Sequence, residues 1–134
     1  MKRLIDAAIE ARKQAYVPYS AFAVGAAVLT QSGKIVTGCN IENASYGLTN
    51  CAERTAFFKA VSEGEQSFSA LAVVSDTEDP ISPCGACRQV MVEWCPPGLP
   101  VYLSNLKGKT LETTVARLLP YAFDREVLHG EHES

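Results

Sequence analysis

Cys51-Ala52-Glu53, followed further along by Pro83-Cys84-Gly85-Ala86-Cys87, sets three thiols and one carboxylate in two short stretches. Each stretch opens a helical pattern. Asn50 can cap a helix from Cys51 to about Ser62, which Gly64 stops, and Cys84 to Trp94 reads as a second helix. Thiols at helix starts meet free N–H groups and the positive end of the helix dipole, which favour the thiolate. Only the thiolate binds zinc. Three protein ligands leave a fourth position for water, as a catalytic zinc needs, whereas a structural zinc takes four. The expected arrangement is one zinc per chain, held between the two helix starts by Cys51, Cys84 and Cys87.

Outward from these stretches the chain alternates helices and strands. Leu4, Ile5, Ala8, Ile9 and Ala15 fall close to helical spacing over residues 2–16, which end before Val17-Pro18. Phe22 to Leu29 reads as a buried strand, and Ser32-Gly33-Lys34 turns it into a second strand, Ile35 to Asn40. Ile41 to Asn50 is a polar loop long enough for a domain of this size to suggest function. Leu71 to Ser75 and Pro100 to Ser104 are further strands. Lys107-Gly108-Lys109 turns into a short antiparallel strand at Thr110 to Glu112, and Thr113 to Leu119 is a last helix. The order αββαβαβ(β)α predicts the α/β class, a mixed five-stranded sheet flanked by helices. One domain over residues 1–134 is expected, with a tail frayed from about Leu128.

Bulk properties exclude several classes of function. Apolar residues make up 47 % and charged residues 20 % of the 134 residues, as in an ordinary globular domain. The net charge of −3, with a pI near 5.4, argues against docking on nucleic-acid phosphates. No apolar run approaches the length of a membrane span. Met1-Lys2-Arg3 begins like a signal peptide, but Asp6 and Glu10 interrupt its apolar core. A cytoplasmic protein is expected. There, five cysteines, an odd number, point to metal ligands or free thiols rather than disulfides.

Three thiolates around Zn²⁺ leave the centre net negative, so a nearby cation would help its bound water ionise. Arg54 can donate hydrogen bonds to the thiolates. Outside a zinc site it would be an exposed helix charge of small worth. Glu53 lies two residues past Cys51, so it can approach a metal-bound water without ligating the metal and pass a proton to a substrate nitrogen. Alone, it would be a first-turn carboxylate stabilised by the helix dipole. A C-x-x-C pair also fits a redox dithiol, although the element order here is wrong for the thioredoxin type. His129 and His132 lie in the tail and are too close together for the usual zinc spacing. Cys39 and Cys95 read as small buried hydrophobes.

Cys51-Ala52-Glu53-Arg54 together with Pro83-Cys84-Gly85-Ala86-Cys87-Arg88-Gln89 closely resembles the cytidine deaminases of the short, three-cysteine type. The resemblance extends to Tyr19-Ser20-Ala21-Phe22-Ala23-Val24-Gly25-Ala26-Ala27, Gly38-Cys39-Asn40-Ile41-Glu42-Asn43-Ala44 and Leu118-Leu119-Pro120-Tyr121-Ala122-Phe123, covering roughly residues 2–128. It implies the three-layer fold of that family and the zinc deaminase chemistry, in which a non-ligating Glu works as acid and base. By position, Cys51, Cys84 and Cys87 would bind zinc. Glu53 would protonate ring N3, let hydroxide attack C4, then deliver a proton to the leaving amine. Cytidine and deoxycytidine would become uridine and deoxyuridine in pyrimidine salvage.

Backbone groups around Ala52 and Cys84 would hold the base edge, Asn40 and Glu42 the ribose 3′-hydroxyl. Phe22 matches a base-stacking aromatic, Phe123 one that reaches the pyrimidine from a neighbouring subunit, and Tyr46 a position near an adjoining site. A homotetramer is implied. From composition alone, Asn40 would cap a loop and the three aromatics would be packing residues. A deaminase of a cytosine-containing antibiotic nucleoside is the nearest alternative, and a non-enzymatic zinc or redox C-x-x-C module the alternative from another class.

Overall fold

Why the site sits where it does follows from how the strands end. The structure, a computed structural model, describes residues 1–122. Helix α1 spans Lys2–Arg12, followed by strands β1 (Val24–Thr30) and β2 (Ile35–Cys39). Then come helix α2 (Ala52–Ser62), strand β3 (Phe68–Ser75) and helix α3 (Gly85–Trp94). Strands β4 (Pro100–Asn105) and β5 (Thr110–Thr114) and a short α4 (Val115–Leu118) complete the elements of the described residues. The five strands form one sheet in the order β2-β1-β3-β4-β5. Only β3 and β4 run parallel, as expected for strands joined through a crossover helix, here α3. The sheet is mixed, as the element order predicts.

Alternation along the strands divides the core. Val24, Ala26 and Val28 of β1, with Val36, Leu71, Val73, Val101 and Leu103, face α2, α3 and α4. Ala27, Ala70, Ala72 and Val74 face α1, which buries Leu4 and Ala8 against them. This is the period of two of a sheet covered on both sides. The result is three layers, α/β/α.

Val24, the first residue of β1, pairs with Ser75, the last of β3, and Gly25 pairs with Cys39, the last of β2. One edge of the sheet therefore gathers the start of β1 and the ends of β2 and β3. The connections into α2 and α3 leave from that edge. It is the usual crevice of α/β sheets, beyond the carboxyl ends of strands.

Several local features differ from the sequence expectation. Thr113 and Thr114 extend β5, so the last helix starts only at Val115. Helix α1 stops at Arg12 rather than near residue 16, because Tyr16 leaves to pair with the chain after β2: its N–H donates to the Asn40 carbonyl, and its carbonyl accepts from Glu42 N–H. The cap of α2 is Cys51, not Asn50, whose carboxamide instead donates to Thr55 Oγ1 at 3.1 Å. The loop after β2 is not irregular throughout; Ile41 and Asn50 form an isolated bridge around a 3₁₀ turn at Tyr46–Leu48. No helix among the described residues is long and apolar enough to cross a membrane.

Candidate metal centre

Cys51 is the N-cap of α2 and Cys84 the N-cap of α3, while Cys87 stands in the first turn of α3. The Cys84 sulfur caps its own helix, accepting from the Cys87 N–H at 3.5 Å. The sulfurs of Cys51 and Cys84 are 3.7 Å apart, those of Cys84 and Cys87 3.4 Å, and all three lie within 4.8 Å of one another. Tetrahedral zinc with bonds of about 2.3 Å would space its sulfurs by roughly 3.8 Å. The trio fits the ion, and it is the one metal-competent cluster among the described residues.

Several bonds hold the stretch before Cys84. Arg88 Nε donates to the Pro83 carbonyl at 2.8 Å, and its Nη1 to the Leu118 carbonyl at 2.7 Å, tying the loop to α3 and α4. Buried Asn105 donates to the Glu78 carbonyl at 2.7 Å, and Lys109 pairs with Asp79. A ligand on an anchored loop keeps its geometry without the metal's help.

Charge is distributed unequally over the thiols. Hydrogen bonding from Cys87 brings the Cys51 thiol down to about 5, and Arg54, donating from Nη2 at 3.3 Å, adds to that. The Cys87 thiol is raised by the same hydrogen bond and by burial. Hydrogen bonding to Cys51 holds Arg54 all the more firmly in its charged form. Its Nε is buried with no hydrogen-bond partner among the described residues. A guanidinium committed this closely to sulfur suits a centre that turns net negative when all three thiols ionise.

Glu53 is 5 % exposed, which is exceptional for a carboxylate. Burial raises its carboxyl above the usual carboxylate range, and the neighbouring Cys51 thiolate raises it further. A group so placed accepts and returns protons more readily than a solvated carboxylate.

Cys51, Glu53 and Cys84 share one cavity of about 210 Å³, with Ala52, Phe22, Val24, Asn40, Val73 and Ile81 among its walls, while Cys87, fully buried, and Arg54 do not line it. Mostly apolar walls around a few convergent polar groups suit a small planar ligand. A wider concavity of about 770 Å³, bordered by Trp94, Cys95 and Tyr121, shares no lining residue with it and holds none of the three thiols. The chemistry belongs to the smaller one.

Sequence reasoning brought Phe22, Asn40, Ala52, Glu53 and the thiols to one place, and the structure does the same. Asn40 is more occupied than expected: its Oδ1 accepts from Val24 N–H at 2.9 Å, and its Nδ2 donates to the Phe22 carbonyl at 2.8 Å. Glu42 accepts from the backbone N–H groups of Tyr19 and Ser20 at 3.0 and 3.1 Å and from the Ser20 hydroxyl. The Ser20 hydroxyl bond is the main reason its carboxyl lies below the usual range. Tyr46 lies outside the cavity, 90 % exposed, and Phe123 falls outside the described residues. Thr49, Asn50, Val73, Ile81 and Ser82 line the cavity without having been anticipated. Only the position of Thr49 and Asn50 just before Cys51 hinted at them.

The family described as the cytidine and deoxycytidylate deaminase zinc-binding region matches residues 1–103. The cytidine deaminase of Sporosarcina psychrophila is 65 % identical over 128 residues, which cover 96 % of this chain and 94 % of that protein. That of Halalkalibacterium halodurans is 63 % identical over 123 residues, covering 92 % and 93 %. Among solved structures, cytidine deaminase from Burkholderia pseudomallei aligns with a TM-score of 0.88 and 56 % identity over 91 % of this chain and 98 % of that one.

Proposed function

The chain belongs to the zinc-binding cytidine and deoxycytidylate deaminase family and is an enzyme of cytidine deamination; from this we propose how its residues divide the reaction. Cys51, Cys84 and Cys87 would hold Zn²⁺, which when bound supplies the Lewis acidity that makes water nucleophilic at neutral pH. The pyrimidine enters the cavity with C4 toward the sulfurs. Glu53 takes a proton from the attacking water and places it on ring N3 as the oxygen bonds to C4. It then takes the proton of the new C4 hydroxyl and passes it to the amino nitrogen. The C4–N bond breaks, C4 becomes a carbonyl, and ammonia leaves. Water and cytidine thus give uridine and ammonia, and the deoxy substrate reacts alike.

Binding follows from the walls. Phe22 stacks on the base. First-turn amides of α2, which have no intrahelical acceptor, meet the base edge beside Ala52. Asn40 and Glu42 first shape the corner that presents Phe22. A carboxylate has about four acceptor sites, and three on Glu42 are in use, so one remains for a ribose hydroxyl.

Tyr46 and Leu48, 90 % and 70 % exposed, form an apolar knob of the kind that marks a subunit contact. We assign it to a homotetramer in which Tyr46 and Phe123 approach a neighbour's site. A single domain, a cytoplasmic location and a role in pyrimidine salvage complete the proposal. Identity above 60 % to two cytidine deaminases speaks against an antibiotic nucleoside as the substrate.

The observation that supports this reading best is the buried Glu53 lining the same cavity as sulfurs at zinc spacing. Its test is zinc content together with loss of the cytidine ultraviolet band, before and after chelation. About one zinc per chain is expected, with turnover abolished by chelation and restored by added zinc. Protein fully loaded with zinc yet inert toward cytidine would refute it, as would turnover that survives removal of the metal.

A further inference from the structure

Two glycines lie where any side chain would strike the backbone of a helix, and they face opposite sides of the sheet. At Gly25 of β1 a Cβ would stand 2.6 Å from the Arg12 amide nitrogen of α1, and closer still to the Ala8 carbonyl. At Gly38 of β2 it would stand 2.6 Å from the Ala52 carbonyl oxygen and closer still to the Ala56 amide nitrogen, both in α2. A side chain in the way could rotate aside, but helix backbone can only move as a body. Ala52 and Ala56 are themselves fully buried, so α2 rests on this strand with no intervening atoms.

We propose that Gly38 is a positioning residue for the metal centre: it sets how closely the first turn of α2 approaches the sheet, and so whether Cys51 meets Cys84 and Cys87. The inference rests on the zinc reading above and extends it. Ordinary contact begins near 3.4 Å, so a Cβ at Gly38 would drive the first turn of α2 back by roughly 0.8 Å or more. Cys51 caps that turn and Glu53 lies in it, so both would move. Cys84 and Cys87 would not follow, because their loop is anchored through Arg88, Asn105 and Lys109 to α3, α4 and the far strands. Metal–ligand bonds tolerate only about 0.2 Å. One sulfur of three would leave its bonding distance, and the acid would shift with it. At Gly25 a comparable collision displaces α1, which bears no thiol and no cavity-lining residue.

The test compares Gly38→Ala with Gly25→Ala in the full-length protein. Zinc affinity is read by competition with a chelator, the thiolate-to-metal charge-transfer band after cobalt substitution, and stability by melting of the metal-free proteins. Gly38→Ala is expected to weaken zinc at least tenfold, to diminish the cobalt band, and to lower kcat more than it raises KM. Gly25→Ala is expected to melt earlier while keeping zinc affinity and the cobalt band within a few-fold of the parent. Should Gly38→Ala yield no soluble protein, Ala56→Gly and Ala60→Gly decide, since both remove a methyl from fully buried positions of α2. Only Ala56 adjoins Gly38, so only Ala56→Gly should loosen zinc at matched loss of stability. Equal zinc affinity in parent and Gly38→Ala, or equal loss in Ala56→Gly and Ala60→Gly, overturns the inference alone. A parent that holds no zinc defeats the zinc reading as well.

Discussion

The same sheet is closed by α1 on one face and by α2, α3 and α4 on the other, and the two closures do different things. On the first, Leu4 and Ala8 pack against Ala27, Ala70, Ala72 and Val74, all small or aliphatic. None of these residues lines the thiol cavity. On the second, α2 and α3 begin at the sheet edge, each with a cysteine as its cap, and a carboxylate is buried in the first turn of α2. The first face contributes mainly apolar burial, with a polar tie from Arg12 Nε to the Ala23 carbonyl at 3.1 Å. The other spends part of its stability on a desolvated acid and on thiols that repel one another once ionised. Perturbing each face should therefore separate stability from chemistry, and the size of that separation measures how far the two are independent.

Glu53→Gln probes the costly face with the largest expected effect. The amide keeps the shape of the side chain but cannot shuttle a proton. We expect kcat to fall by about 10³-fold or more, near the upper range for proton-transfer groups, while zinc content stays at the parent level. Removal of a buried acid should also leave the metal-free protein no less stable. Turnover within tenfold of the parent would show that the proton travels another way.

Leu4→Ala is the complementary probe. Leu4 is 4 % exposed and lies on α1, so its truncation should cost about 2–4 kcal/mol and lower the melting temperature by several degrees. Zinc affinity and kcat at 25 °C should not change beyond a factor of two. A large fall in kcat would mean that α1 reaches the site through the sheet, and the contrast between the faces would collapse.

How much of this contrast could be read in advance depends on the physical signal each part leaves in sequence. Strands β1 and β2 were legible because their apolar runs end in a turn residue with no steric penalty for φ = +91°, Gly33. The thiols were legible because zinc imposes spacing. The end of α1 was not: Ala15 and Tyr16 suit a helix, and only the pairing of Tyr16 with residues beyond β2 pulls them out of it. Val73 and Ile81 were hidden for the same reason, since nothing in an aliphatic side chain says which edge of a sheet it will meet. Asn40 was found but its work was half seen. Its carboxamide spans the backbone on both sides of Ala23, a demand that exists only once β1 lies beside the end of β2.

Cys95 sharpens the comparison from within the second face. It is a buried thiol at the end of α3 that takes no part in the metal cluster, and burial lifts it to about 12. Between its ordinary value near 9 and this raised value, the folded protein keeps a proton that the unfolded chain has released. Its contribution is therefore complete below pH 9 and declines as the pH rises toward 12. At pH 10.5 the loss should reach about 1–2 kcal/mol, read as a drop in melting temperature that Cys95→Ala reduces. An identical alkaline slope in both proteins would place the sensitivity elsewhere.

The smallest effect is expected at Ala21, where the site side of the molecule holds a backbone that the α1 side does not need. Ala21 has φ = +58°, a left-handed conformation that costs a residue with a side chain about 1 kcal/mol. The corner is held by the Ala21 N–H bond to the Val17 carbonyl, by Glu42 on Tyr19 and Ser20, and by the Ser20 hydroxyl accepting from Phe22 N–H at 3.0 Å. Ala21→Gly would relieve the strain but widen the unfolded ensemble by about 0.4–1 kcal/mol, so the two terms nearly cancel. The melting temperature should move by no more than about 2 °C. What should change is presentation of Phe22, because glycine allows the corner other conformations: KM for cytidine should rise a few-fold with kcat unaltered. If KM stays constant while stability rises by the full strain, the corner is a local cost of folding with no part in holding the base.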